Sequence, residues 1–299
     1  MRWNTFDRLI RQGSGQGHLD AYIPFRQNTR RNISMCNNQA IATMPGYRRS
    51  SHFENRHQRS VGLLALWAGA RDVREKYPLW PFTHPHPLSD WPMNFEDRPC
   101  CVGSAEALGS LTGCSFKDLF DSAGLSIPLT DLMLTVGDPH CPRCVMVACF
   151  PIQRTLKAPP RRDNLPSLEI GLQYAAANGF AHRIIDTAMI GKTLLRNLKA
   201  FSFSVNVVRE TEKEHDVTPL VESLKEALER GESISEAVKV VSSRQRIPEC
   251  VVWPVFDFMA WTQVIDIDLS AQVRHSEPIV PGGHQLRSAV QDLLFSDRT

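Results

Sequence analysis

Apolar positions in this chain come in short runs broken by Pro, Gly and clusters of charge, and their spacing alternates between helical and extended. From Phe53 to Trp67 the apolar residues share one helical face. Asp72 to Leu79 reads as a strand, closed by Pro78 and Pro81. Leu129 to Val136 and Val145 to Phe150 predict two stronger strands, and Gly137 to Cys144 between them has the length of a hairpin loop. A helix is expected after Pro166, capped by Ser167 and closed at Asn178-Gly179. The strand His182 to Asp186 follows, and then a helix from Ala188 to Phe201 capped by Thr187. From Phe53 the order is therefore helix, three strands, helix, strand. Residues 80–125, rich in Pro and bearing Cys, interrupt it as a surface insertion with a short helix expected near Phe116 to Phe120.

The flanking regions read differently. Residues 1–50 predict an arm with little regular structure, flexible at Gly13-Ser14-Gly15-Gln16-Gly17. That glycine cluster lacks the Gly-Lys-Ser/Thr ending of a phosphate loop, and no strand is predicted before it. Charge thickens between 207 and 217, which marks a domain boundary. Beyond it, Thr218-Pro219 opens a helix, Ser233-Ile234-Ser235-Glu236 is a capping box for a second, and Val251 to Trp261 is a third. Val264 to Leu269 alternates as a half-exposed strand, and a further helix is expected near Leu286 to Leu294. Three domains result: an arm at 1–50, a core at 51–210 containing the 80–125 insertion, and a small winged-helix domain at 211–299.

Composition changes this picture in one respect. The formal net charge of +2 argues against a chain built to coat nucleic acid. Yet residues 1–60 hold ten Arg against Asp7, Asp20 and Glu54, a formal +7 that leaves −5 for the rest. Arg30-Arg31 and Arg48-Arg49 are the candidate phosphate contacts of this basic segment. No signal-peptide core opens the sequence, and its longest nearly apolar run, Val251 to Trp261, is too short to span a bilayer and contains Asp257. The expectation is a soluble, cytoplasmic protein with no membrane contact, whose cysteines are thiols or metal ligands.

Particular residues carry a family resemblance. Asp72-Val73-Arg74-Glu75-Lys76-Tyr77-Pro78-Leu79 resembles the Asp-Ile-Arg-Glu-Gln-Phe-Pro-Leu signature of TnsA, the endonuclease subunit of heteromeric cut-and-paste transposases. In the same order, Gly15-Gln16-Gly17 with Tyr22 and Pro24 is similar to the family's arm. Thr130-Asp131-Leu132-Met133-Leu134 is similar to its Thr-Asp-Phe-Leu strand, and Ser167-Leu168-Glu169-Ile170 with Tyr174 to its Leu-Glu-Ile-Glu helix. Arg183-Ile184-Ile185-Asp186, Arg196-Asn197-Leu198 and Phe256 to Leu269 complete the set. The resemblance implies a restriction-endonuclease-like core followed by a winged helix. It implies binding of transposon-end DNA and cleavage of the 5′ ends by metal-dependent hydrolysis. The implied partners are a DDE transposase subunit (TnsB-like) and an AAA+ ATPase regulator (TnsC-like).

Such a nuclease holds Mg²⁺ or Mn²⁺ on carboxylates, with a Lys to stabilise the charged transition state. By resemblance Asp131 is one metal ligand. Glu54, expected at the start of the preceding helix, is the other, although an alignment anchored on Trp67 puts Gln58 there instead. Glu169 is a further candidate carboxylate. The family's Gln-Val-Lys-Pro strand is matched by Ala148-Cys149-Phe150-Pro151, so Phe150 stands at the Lys position, with Arg154 and Lys157 further on. Phe can neither neutralise phosphate charge nor orient water, which leaves two readings open: an endonuclease, or a catalytically inactive DNA-binding scaffold. A third is a zinc-stabilised DNA-binding protein, because Cys141-Pro142-Arg143-Cys144 has zinc-knuckle spacing and Cys100, Cys101, Cys114, His84, His86 and His140 are potential further ligands.

Overall fold

The computed structural model describes residues 3–28, 40–92, 97–112, 127–149, 165–212 and 216–296. The chain divides into two compact units: Met1–Thr43, Arg49–Ala188 and Leu294–Thr299 in the first, Met44–Arg48 and Met189–Leu293 in the second. The fold class is α/β, with a mixed sheet. Among the described residues no helix is long and apolar enough to cross a membrane.

The first unit is organised by four strands, β3 (Asp72–Pro78), β4 (Leu129–Gly137), β5 (Pro142–Cys149) and β6 (Ala181–Ile185), in the order β3-β4-β5-β6. The first three form an antiparallel meander, with Val73 opposite Leu134 and Leu132 opposite Val147. β6 runs parallel to β5, Val147 opposite Arg183. A parallel neighbour requires a crossover, and helix α4 (Leu165–Ala177) lies between β5 and β6 in the chain. Helix α2 (Arg56–Ala68) precedes β3. The Asn55 side chain accepts from the Gln58 N–H at its start, and Gly69 at φ +106° ends it in the left-handed conformation that glycine tolerates. Helix α3 (Ser104–Thr112) lies in the insertion, and the helix expected near Phe116 to Phe120 falls outside the described residues.

The core of this unit joins Tyr77, Met133 and Met146 on the sheet to Tyr174 and Ala175 on α4 and to Leu88 and Trp91 from the insertion. A second cluster gathers Phe6, Phe25, Trp80, Ala105 and Ile127. Here the arm departs from expectation. It contains helix α1 (Trp3–Arg11), a one-turn helix at Leu19–Ala21, and a hairpin of β1 (Ala40–Thr43) and β2 (Ser50–Phe53). Phe6, Leu9 and Ile10 at helical spacing pack α1 into that second cluster.

The remaining differences have local causes. β2 ends at Phe53, so the following helix starts only at Arg56 and Glu54 precedes it. Ser167 falls inside α4, which begins at Leu165. Thr187 caps nothing: the Asp186 carboxylate takes the Ala188 N–H (2.9 Å) in a turn, and helix α5 (Lys192–Thr211) begins after Gly191.

The second unit contains α5, α6 (Thr218–Glu229), α7 (Ile234–Gln245), α8 (Glu249–Thr262) and most of α9 (Gly283–Phe295). The capping box at Ser233 and Glu236 forms as the sequence predicts. Phe201 of α5 meets Phe256 of α8 edge-on at 6.2 Å, and Asn197 Nδ2 donates to the carbonyls of Leu269 and Ala271. Val264 to Leu269 forms no strand, so the predicted wing has no counterpart among the described residues. Ile265, Ile267 and Leu269 are buried, which explains the alternation. No ladder forms there, however, because the Asp266 carboxylate accepts the N–H groups of Gly282 and His284 and Asp268 accepts that of Ser270.

Candidate functional site

β3 is the most charged strand in the sheet, yet all seven of its residues are buried. Asp72, Glu75 and Lys76 each have a partner from the N-terminal segment, while Arg74 donates to the Pro87 carbonyl at 2.8 Å and lies 3.6 Å from Asp72. Glu75, fully buried, accepts from Arg49 Nη1 at 2.8 Å and Nη2 at 3.0 Å, and from the His52 N–H at 2.8 Å. Arg49 also donates to the Leu19 and Val73 carbonyls and the Ser51 hydroxyl, and its guanidinium lies over the Tyr22 ring. Asp72 accepts from His18 Nδ1 at 3.3 Å and from the Leu19 N–H at 3.2 Å. Burial works to raise the Asp72 pKa, but His18, Arg74 and the backbone N–H outweigh it and hold the carboxyl below its ordinary value. Burial lowers the pKa of His18, so the pair is a neutral imidazole donating to a carboxylate.

Lys76 completes the strand in the left-handed region, at φ +53°, an uncommon conformation for a side-chain-bearing residue. The flanking pairs, Glu75 with Leu132 and Tyr77 with Thr130, put Lys76 opposite Asp131. Its Nζ donates to Asn28 Oδ1 at 2.7 Å, and Asn28 Nδ2 donates to the Phe53 carbonyl. Burial lowers the Lys76 pKa, while the charge of Glu54 acts the other way.

Asp131 and Gln58 form the second feature. Gln58 is only 2% exposed on the first turn of α2. Its Nε2 donates to Asp131 Oδ1 at 2.7 Å, and its Oε1 accepts the Glu54 N–H at 2.7 Å. Asp131 Oδ2 accepts the Cys149 N–H at 2.6 Å. Burial pushes the Asp131 carboxyl up to about 6; Glu54 adds to the rise, and the two hydrogen bonds oppose it. Burial also raises the neighbouring Cys149 thiol well above its ordinary value.

Because the folded-state pKa of Asp131 is raised, the folded protein holds this proton more tightly than the unfolded chain. Stability contributed by the site is therefore greatest below the ordinary carboxyl value of 3.8 and is lost as pH rises through about 6. Chemical denaturation of the wild type and of Asp131→Asn between pH 4 and 7 measures this: the difference between them should shift in favour of the variant as pH rises. A pH-independent difference would contradict the protonation assigned to Asp131.

Of the carboxylates expected at the site, Asp131 accepts a hydrogen bond from α2, and the donor is Gln58. Glu54 is exposed and acts on Asp131 through its charge. Glu169 is exposed on α4, where Gln173 Nε2 donates to it at 2.7 Å. Cys141 is exposed, whereas Cys144 is buried in the core beside Arg74 with its thiol raised to about 11. Among the described residues no group of three or more His, Cys, Asp or Glu side chains could hold a metal.

Of the basic candidates, Arg48 is exposed and 3.6 Å from Glu210, and Arg49 is committed to Glu75 with all its N–H groups engaged. Arg30, Arg31, Cys114, Phe150, Arg154 and Lys157 lie outside the described residues. Asn28, His18 and the charges of β3 were not expected to take part. The one signal in the sequence is a strand whose charged residues do not alternate, as they would on a sheet with one solvated face. No protein-family model matches the chain, and no curated protein matches it either.

Proposed function

We propose that this chain is a TnsA-like subunit of a heteromeric transposase that binds transposon-end DNA but does not cut it, serving as a scaffold for a TnsB-like transposase and a TnsC-like ATPase. The carrying observation is the Gln58–Asp131 contact. A helix followed by an antiparallel meander and a parallel fourth strand is the arrangement that the restriction-endonuclease-like reading requires. In that reading α2 and β4 present the metal ligands to the scissile phosphate.

The side chains present do not fit a divalent cation. Mg²⁺ and Mn²⁺ take anionic or carbonyl oxygens. Both Asp131 oxygens accept N–H groups, and its raised pKa marks a carboxylate that receives little cationic compensation. Gln58 turns its NH₂ toward Asp131 because its oxygen is taken by the Glu54 N–H. An amide is neutral in either orientation, and Phe150 at the expected Lys position supplies no charge. What the first unit retains for DNA is its Arg-rich segment.

Fluorescence anisotropy with transposon-end duplexes, paired with a nicking assay in Mg²⁺ or Mn²⁺ and the cognate partners, tests this reading. Binding without nicking is expected. Replacing Arg30 and Arg31 by Ala should weaken binding and reduce the salt-dependence slope by about two. Robust nicking that disappears in Asp131→Ala would overturn the scaffold reading, and salt-independent or absent binding would overturn the DNA reading.

A further inference from the structure

The first unit contains a cavity of about 270 Å³ that the DNA reading does not use. It lies between the Gly15-Gln16-Gly17 turn, β3 and the start of the insertion, and Gln16, Gly17, Trp80, Phe82, His86 and Asp90 are among its lining residues. We propose that this cavity binds a guanine base, stacked on Phe82, with its N1–H and N2–H donated to Asp90 and its O6 accepting from His86.

The wall calls for a flat ring. Phe82 is 43% exposed, is backed by Trp80 at an interplanar angle of 24°, and meets Phe6 edge-on at 6.0 Å. A ring held in this way is a rigid platform, and nucleobases stack on aromatic side chains through their π-faces. The volume is at the small end for ligand pockets and suits one base.

The polar groups select among the bases. Among the described residues Asp90 is the only carboxylate in the lining; it is exposed, and no hydrogen bond to a described residue uses its oxygens. A carboxylate is an acceptor with two oxygens side by side. Guanine alone of the four bases carries two adjacent N–H donors, N1–H and N2–H, to match them, whereas adenine would turn its N1 acceptor on the same carboxylate. His86 Nδ1 accepts the Leu88 N–H at 3.0 Å, which places the ring proton on Nε2. Burial pushes the His86 pKa down to about 4, so at neutral pH the ring is uncharged and offers Nε2–H as a donor for O6. The Gly17 N–H has no partner among the described residues, and the Gln16 side chain is exposed, so both are donors for the remaining acceptors of the base. Arg74 also lines the cavity but takes no part, because its N–H groups are buried against Asp72 and Pro87.

Isothermal titration of the full chain with GMP, IMP, AMP and CMP tests the proposal. GMP is expected to bind saturably, and about tenfold or more tightly than each of the others, as a paired contact to a base edge allows. IMP lacks N2–H, and AMP and CMP lack N1–H. Asp90→Ala should bring GMP to within about twofold of IMP, and Phe82→Ala should weaken GMP and IMP alike by about fivefold or more. Both residues are exposed, so the melting temperature of each variant should match that of the wild type. An end duplex with one guanine opposite an abasic site, competed against GMP, distinguishes a base extruded from DNA from a free nucleotide, and Asp90-dependent binding of either upholds the proposal. No saturable binding of GMP or of the unpaired guanine, equal affinity for GMP and AMP, or an undiminished preference for GMP in Asp90→Ala would overturn it. Because binding of the fully paired end duplex is measured on the same samples, failure here leaves the transposase reading standing, and failure there leaves this one.

Discussion

Glu75→Ala is expected to destabilise the first unit by about 3–5 kcal/mol, the cost of breaking a buried ion pair on one side. The carboxylate is fully buried and accepts three hydrogen bonds, two from Arg49 and one from the His52 N–H. Its removal strands a guanidinium whose side chain is only 8% exposed, in a position where water cannot replace the lost oxygens. The loss should also loosen the hairpin carrying Arg49 and His52, because three of the hydrogen bonds that tie these two residues to β3 end on this one side chain. Urea denaturation followed by tryptophan fluorescence measures the effect. The exposed Glu169→Ala serves as a control and should change stability by no more than about 0.5 kcal/mol. The double variant Arg49→Met/Glu75→Leu should recover much of the loss, since buried pairs replaced together by apolar groups are often near neutral. A Glu75→Ala effect below about 1 kcal/mol would show that the pair is not buried as described.

Gln58→Glu is the second change with a large effect, because it reverses the character of the site with few atoms altered. The new carboxylate would retain the Glu54 N–H on one oxygen and bring the other to within 2.7 Å of Asp131 Oδ1, where Nε2 now stands. Two carboxylates at that distance cannot both remain ionised without a cation. At pH 8 in EDTA the variant should lose on the order of 2 kcal/mol for a charged group left without its hydrogen bond. Mn²⁺ at a hundred times its Kd should then return about 2.7 kcal/mol by linkage. The wild type should show no Mn²⁺-dependent stabilisation in the same thermal-shift experiment. Equal Mn²⁺ responses in both proteins would place the bound metal elsewhere.

Elements whose determining contacts are local could be read from the sequence. α2, β3, β4, β5, α4 and the capped helix at Ser233 were visible because periodicity, Gly and capping residues act within a few positions. The strand read at Val264 to Leu269 failed because alternation reports burial on one side, and burial on one side does not require a partner strand. α1 was missed because its three apolar positions, Phe6, Leu9 and Ile10, stand among arginines whose charge dominates the segment. At the site, Asp131 was recognisable as a carboxylate inside an apolar strand. The choice between Glu54 and Gln58 was not recognisable: both fit near a helix start, and only the end of β2 at Phe53 puts Glu54 before the helix and Gln58 in its first turn. The charged core of β3 was out of reach, since its partners come from far along the chain, His18 for Asp72, Asn28 for Lys76 and Arg49 for Glu75. For Arg49 this changed the role altogether: a residue read as a phosphate contact is an internal strut.

The scaffold reading stands or falls with the α2–β4 site, which carries an amide–carboxylate hydrogen bond where a nuclease would hold a metal. Electron paramagnetic resonance of Mn²⁺ titrated into the wild-type protein with end DNA examines that site without relying on turnover. A spectrum of free Mn²⁺, the same for wild type and Asp131→Ala, is expected. A stoichiometric bound signal that disappears in Asp131→Ala would contradict the reading.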